Sequence, residues 1–213
     1  PTGEGLTVNQ GHEITDDEVK AKVKDFGPGT LTVTSKPSTT TAGNAGNAVV
    51  TVGYPDGSSD TVNVPVTVKD VTGPTVTVGG ATVTKNEPIT PIPVTVSDNT
   101  GGRGLRDNTP VEVTGLPGGL TYSNGEITGT PTVPKGDYSV TITAYDKDGN
   151  PTTETITIKV QEQADKYNPT GEGLTVNQGH EITDDEVKAK VKDFGPGTLT
   201  CLLYTSPSPR DRQ

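Results

Sequence analysis

The chain has 213 residues, only 28% of them hydrophobic and 4% aromatic, with 17 Lys and Arg against 27 Asp and Glu for a formal net charge of −10. That balance argues against recognition of a phosphate backbone, which needs clustered cations to release counterions, and no run approaches the roughly 20 apolar residues of a membrane-crossing helix. So thin an apolar content suits several small β domains better than one large core.

Methionine is absent, which leads us to expect an internal piece of a longer chain. Cys201 is the single cysteine, so neither an intrachain disulfide nor a Cys-based metal site can form. Residues 1–32 recur without a change at residues 169–200, and such repetition is typical of arrays whose value lies in copy number and length. The identity stops at Cys201, where Val33 has its counterpart, and residues 201–213 (CLLYTSPSPRDRQ) resemble a translated sequencing adapter.

Residues 1–70 read as a first module. Thr15 followed by Glu18 writes a reciprocal capping box, and Val19, Val23 and Phe26 at i, i+4 and i+7 predict a short helix that Gly27-Pro28-Gly29 ends. Lys20, Lys22 and Lys24 then form its solvated face. After a low-complexity stretch over residues 37–47, Val50, Val52 and Tyr54 alternate on one strand and Val62, Val64, Val66 and Val68 on the next. Pro55-Asp56-Gly57 supplies the turn between them. Pro65 lacks an amide donor, which predicts an edge strand or a bulge there.

Gly5-Leu6-Thr7-Val8-Asn9-Gln10-Gly11, the Val-Lys-rich helix, residues 49–53 and Tyr54-Pro55-Asp56-Gly57 with Asp60-Thr61-Val62 together resemble a Rib domain, the repeat of Rib and alpha-like surface proteins of Gram-positive bacteria. The resemblance implies a reduced Ig-like fold, a place in a long wall-attached array, and no enzymatic activity.

Residues 71–160 read as a second module. Ile92, Val94 and Val96, then Val111 and Val113, then Val140, Ile142 and Ala144, then Ile156, Ile158 and Val160 each alternate with polar or proline residues, which predicts an antiparallel sandwich of short strands. Gly115 to Tyr122, Gly125 to Pro131, Gly136-Asp137-Tyr138 and Ala144-Tyr145-Asp146 with Gly149-Asn150 resemble the Ig-like, cadherin-like domains of bacterial surface proteins. That resemblance implies extracellular modular use without implying a ligand. Residues 161–168 read as a polar linker, and residues 169–200 as the first part of another Rib-like module. Without a hairpin, the face of Val187, Val191 and Phe194 has nothing to pack on, which predicts a frayed or marginal fold.

The whole is therefore expected to be mainly β: tandem small Ig-like sandwich modules, the first with a short N-terminal helix. Catalytic machinery is not visible, because His12 and its copy His180 are one position seen twice and no nucleophile is paired with a base. The tyrosines are scattered rather than grouped for sugar stacking, and no Lys, Asn and acidic triad for an intramolecular isopeptide bond stands out. The sharpest site is a calcium site. Asp146, Asp148 and Asn150 alternate before a Gly turn, as oxygen ligands for a hard cation often do, and Asp98, Asn99, Asp107 and Asn108 can add oxygens from another loop. The same Asp-Gly-Asn string also reads as a plain hairpin turn. No other cofactor is expected.

These readings converge on a monomeric, extracellular, cell-wall-attached stalk whose partners are the neighbouring repeats of the same chain. The alternative is that the repeats themselves bind host surface protein or glycan through weak contacts multiplied by copy number. Nucleic acid and membrane insertion are not expected.

Overall fold

The structure, a computed structural model, describes residues 1–201. In the first module the elements are β1 (Thr2–Gly3), β2 (Leu6–Asn9), α1 (Asp16–Lys20), β3 (Val23–Lys24), β4 (Thr30–Ser35), β5 (Gly43–Gly53) and β6 (Ser59–Lys69). The hairpin of β5 and β6 turns at Pro55-Asp56-Gly57, where Gly57 takes a φ of 86°, and it pairs antiparallel with Val50 opposite Val62. Its alternating residues Val50, Val52, Val62, Val64, Val66 and Val68 are all buried. With β4 and β2 it forms a four-stranded sheet in the order β2-β6-β5-β4, and Leu6, Val8, Ile14, Val19 and Val23 complete the core.

Three local expectations are corrected. The helix ends at Ala21 rather than at Gly27, because the backbone beyond it pairs elsewhere. Glu4 donates its N–H to the Lys22 carbonyl at 2.8 Å, and Val23–Lys24 pair with Gly3 and Thr2 as a strand. Val19 and Val23 are both buried all the same, one from a helix and one from a strand. Gly3 makes that pairing fit, since a Cβ there would lie 2.1 Å from the Asn63 carbonyl oxygen. Second, part of the low-complexity stretch is not loop: Gly43 to Asn47 are the first residues of β5. Third, β6 lies inside the sheet rather than at its edge. Pro65 falls one residue before the pairing of Leu6 with Val66 begins, and the bulge is carried by the opposite strand, between Asn44 and Gly46.

The second module contains β7 (Thr75–Thr77), β8 (Ala81–Thr84), β9 (Ile92–Pro93), β10 (Thr95–Ser97), β11 (Val111–Thr114), β12 (Leu120–Ser123), β13 (Glu126–Gly129), β14 (Gly136–Tyr145) and β15 (Pro151–Gln161). One sheet runs β11-β14-β15-β8, a second β12-β13-β9, and β7 pairs with β10. Asn124 and Gly125, both with positive φ, close the β12–β13 hairpin in two residues, the loop whose twist suits its strands. Ile127, Val140, Ile142, Ala144, Ile158 and Val160 are fully buried at its centre.

The fold is mainly β and Ig-like, as expected, but neither module is purely antiparallel. The strand near the start of each runs parallel to its last strand: β2 beside β6, and β8 beside β15.

After β15, the span read as a linker contains a helical turn, α2 (Gln163–Lys166). It is held to the second module by ion pairs from Lys166 to Glu87 and, at 2.8 Å, from Lys135 to Asp165. The repeated segment then forms β16 (Thr170–Gly171), α3 (Asp184–Lys188) and β17 (Val191–Lys192). Among the described residues no helix is long and apolar enough to cross a membrane. The adapter-like reading of residues 201–213 falls outside the described residues except at Cys201.

Residues 1–32 and 169–200 are the same sequence in two settings. Both copies build the capped helix, and both pair their short strands in the same register. Only the first, which has the hairpin, turns its Leu-Thr-Val-Asn segment into a paired strand. Val19 is fully buried while α3 buries no residue, and Ile14 is 4% exposed against 37% for Ile182. Local signals suffice for helix and turn; burial needs the hairpin. Amide exchange followed by NMR, which separates the two copies where peptide masses cannot, should show Val187 and Ala189 exchanging faster than Val19 and Ala21.

The capping box also sets a pH dependence. Glu18 is held down to about 2 from an ordinary 4.5, first by the Thr15 backbone N–H, then by His12 and the Thr15 hydroxyl. A carboxylate whose pKa falls on folding contributes stability above its unfolded value and loses it as pH falls through the folded one. The stability gap between the wild type and Glu18→Gln, measured by urea unfolding, should therefore be full above pH 4.5 and close as pH falls towards about 2.

Candidate functional site

Three acidic residues each stand one position past the end of a strand: Asp70 after β6, Asp98 after β10 and Asp146 after β14. The strand ends deliver them to one place between the two modules, where one carboxylate oxygen from each lies within 4.8 Å of the others. Asp70 is 0% exposed and Asp146 1%, while Asp98 is half-buried. Three like charges so placed cost free energy unless donors or a cation compensate them.

Donors reach these oxygens from the surrounding loops. Oδ1 of Asp70 accepts from the Thr72 N–H at 3.0 Å, and Oδ2 of Asp98 from the Gly104 N–H at 2.5 Å. The Asp146 oxygens accept from the Asn150 N–H at 2.7 Å and from its side-chain amide at 2.6 Å. Oδ1 of Asn99, by contrast, points at Oδ2 of Asp70 at 3.1 Å and Oδ1 of Asp98 at 3.0 Å. All three are acceptors.

Turning the Asn99 amide over would place its nitrogen between the two carboxylates, but Gln10 opposes this. Asn99 Nδ2 donates to Gln10 Oε1 at 3.0 Å, so a turned Asn99 requires Gln10 to turn as well. Gln10 is fixed by its own Nε2, which donates to the Thr40 carbonyl at 2.7 Å and the Thr100 carbonyl at 3.0 Å. Reversing it would set an oxygen against two carbonyl oxygens. Turning Asn99 alone still replaces two oxygen–carboxylate contacts with N–H donations to Asp70 Oδ2 and Asp98 Oδ1, at the cost of one neutral oxygen contact with Gln10, so the amide nitrogen belongs with the carboxylates.

Gly102 closes this cluster from one side. A Cβ on it would lie 2.4 Å from Asp98 Oδ2, 2.6 Å from Asn99 Oδ1 and 2.6 Å from Asp70 Oδ2. The loop that carries Asp98, Asn99 and Gly102 also grips the first module directly, with the Gly101 carbonyl accepting from the Ala42 N–H at 2.8 Å.

Of the residues expected at a calcium site, Asp98 and Asp146 come together here with Asn99. Asp148 stands apart from the cluster: its Oδ1 takes an ion pair from Arg103 at 3.2 Å, and its Oδ2 is buried without a partner among the described residues. Asn150 is placed as a donor, giving its side-chain N–H groups to Asp146 and, at 3.1 Å, to the Asp70 carbonyl. Asp107 is an exposed partner of Lys147 at 3.4 Å. The Asp-Lys-Asp-Gly-Asn string is thus the β14–β15 turn, with one of its acids facing the junction. Asp70 and Gln10 escaped sequence reasoning. An Asp before Val-Thr-Gly-Pro at a module boundary was the available signal for the first, and Gln10 offers none, since its role appears only when the modules meet.

His12 is 2.9 Å from Glu18 Oε1 and belongs to the helix cap. Tyr54 donates to Asp60 and Tyr138 to the Pro134 carbonyl, and Arg106 lies over the Tyr145 ring at 4.2 Å. These are structural contacts dispersed over both modules.

Residues 1–70 match the Rib domain family, and residues 71–161 match the Putative Ig domain family. The chain joins a Rib domain to an Ig-type domain. It is 33% identical to the C protein alpha-antigen of Streptococcus agalactiae over 232 aligned positions, covering 95% of this chain and 20% of that protein. It is also 44% identical over 93 positions to the Serine-rich adhesin for platelets of Staphylococcus aureus, covering 43% of this chain and 6% of that protein. Among solved structures, a Rib domain from Streptococcus pyogenes is 33% identical and covers 32% of this chain and 89% of its own, with a TM-score of 0.26. The chain thus spans only a small part of the length of the alpha-antigen and of the platelet adhesin. Its two domains are of the kind found in Gram-positive surface proteins, and both families are structural and adhesion domains.

Because a methyl group has no room over the oxygen cluster, Gly102→Ala is expected to destabilise the chain by about 1–3 kcal/mol, the usual cost of overpacking. Urea unfolding measures it, and an unchanged midpoint would show that the cluster can open to admit the methyl.

Proposed function

We propose that the chain is spacer material of an extracellular, wall-attached surface protein, a stalk segment that holds a distal binding region away from the cell. The observation that carries this reading is the parallel pairing of β2 with β6 and of β8 with β15. When a strand near a module's start runs alongside its last strand in the same direction, the chain enters at one end and leaves at the other. Modules joined in this way extend head to tail instead of folding back. The last strands have 11 residues each, so each module advances the array by roughly 36 Å at about 3.3 Å per residue, and greater reach comes from repeating the pair.

The surface agrees with a spacer. Among the described residues the exposed large hydrophobics are Val71, at the junction, and Ile182, in the repeated segment without its hairpin. Complete modules therefore offer little of the contiguous apolar surface that marks a docking site. The acidic excess keeps neighbouring stalks apart, and a monomeric, non-catalytic segment follows from the same reading.

The competing reading, that the repeats themselves stick to host protein or glycan, has the name of the staphylococcal relative in its favour. Beads carrying one, two or four copies of the Rib–Ig pair separate the two. Spacers leave host cells and matrix proteins unbound at every copy number, whereas binding that climbs steeply with copy number would overturn the spacer reading.

A further inference from the structure

We propose that the parallel pairs β2–β6 and β8–β15 are force-bearing clamps, so that each domain resists being pulled open along the axis of the array. The inference rests on the spacer reading and deepens it, since a stalk fixed at its base and held at its tip is loaded through its two ends.

When a parallel pair is pulled by the leading end of its first strand and the trailing end of its last, the strands are drawn past each other. Every hydrogen bond between them is then loaded at once. An antiparallel hairpin pulled at its open end gives way one pair at a time. Tension entering ahead of Leu6 and leaving beyond Lys69 slides β2 along β6, which are paired from Leu6–Val66 to Asn9–Lys69. Tension across residues 81–161 does the same to β8 and β15, paired from Ala81–Ile158 to Thr84–Gln161. The bonds of a parallel ladder are evenly spaced, so none fails far ahead of the others.

The two clamps are built alike. Gln10 donates its N–H to the Lys69 carbonyl, and Lys85 donates its own to the Gln161 carbonyl, both at 2.9 Å. Each ladder is thereby extended by one bond past its last paired residue. In the second clamp the Gln161 side chain also donates across the pair to Thr84 Oγ1 at 3.1 Å. Leu6 and Val8 are buried in the first core and Val83 in the second, so sliding drags apolar side chains out of their packing as well. The long hairpins β5–β6 and β14–β15 lie behind the clamps, and their pairing is shielded from the load until the clamps fail. Resistance of this kind belongs to the unfolding barrier rather than to equilibrium stability, which allows the two to be separated.

The test pulls single molecules of the full chain, with Cys201→Ser removing the native thiol. Handles at the chain ends load both clamps in shear, whereas handles on Thr41→Cys and Lys69→Cys, at exposed positions, load the β5–β6 hairpin from its open end. End-to-end pulling should give two high-force steps, of about 200 Å for residues 6–69 and about 260 Å for residues 81–161 at roughly 3.4 Å per extended residue. The pull between residues 41 and 69 should open the Rib domain at several-fold lower force. Val8→Ala, in the clamp, should lower the force of the Rib step. Val52→Ala removes the same groups from a buried site on β5; it should cost comparable stability in urea and leave that force close to wild type. Equal forces for the two attachments, a wild-type force in Val8→Ala, or a Val52→Ala variant weakened as much as Val8→Ala would overturn the proposal. The bead assay reports on sticking and this one on resistance, so a chain that is inert on beads yet opens easily sinks the clamps alone, and one that sticks yet resists sinks only the spacer reading.

Discussion

Everything in the first domain depends on the apolar face of one hairpin. β5 and β6 put Val50, Val52, Val62, Val64, Val66 and Val68 on the same side of a sheet, and the rest of the domain is sequence that becomes structure by covering them. The repeated segment is the control. Residues 169–200 carry the same capping box, the same short pairing and the same apolar residues as residues 1–32, and without the hairpin they build the local elements but bury nothing in the helix. A five-residue helix is too short to persist on propensity; its place is set by tertiary contact.

The same dependence explains what could be read in advance. Period-two alternation around Val50–Val68 and Val140–Val160 survives intact as buried strand faces, because a strand's side chains alternate whatever its partner. The Thr15–Glu18 cap was legible for a similar reason, since both partners lie within four residues. The helix length was misread because Val19, Val23 and Phe26 satisfy helical spacing, while the competing partner for Val23 is Gly3, far away along the chain. Neither parallel strand was legible. Periodicity says that Leu6 and Val8 share a face, but it does not say beside which strand, or in which direction, they lie.

The junction shows the limit more sharply. Asp98, Asn99 and Asp146 were visible as oxygen-bearing loop residues, and the structure brings them together. Asp148, equally well placed in the local pattern, turns towards Arg103 instead. Two-residue spacing in a tight turn puts alternate side chains on different sides, so a local string can supply one ligand to a shared point more easily than two. Asp70 comes from the other domain, and no local pattern can contain it. Gln10, which faces the Asn99 amide, is itself fixed by two backbone carbonyls in different domains. That chain of constraints exists only in the assembled pair.

The two joints of the repeating unit are unlike in their physics. At the first, three carboxylates from both domains converge and are held by donors from Thr72, Gly104 and Asn150. At the second, α2 is tied to the Ig-type domain by Lys166–Glu87 and Lys135–Asp165, pairs that carry their own counter-charges and that salt screens. An array built from this pair therefore alternates a joint of gathered, hydrogen-bonded carboxylates with a joint of salt-screened ion pairs. Each domain's core lies in its own sheets and away from the junction, so a change at either joint leaves the cores as they are.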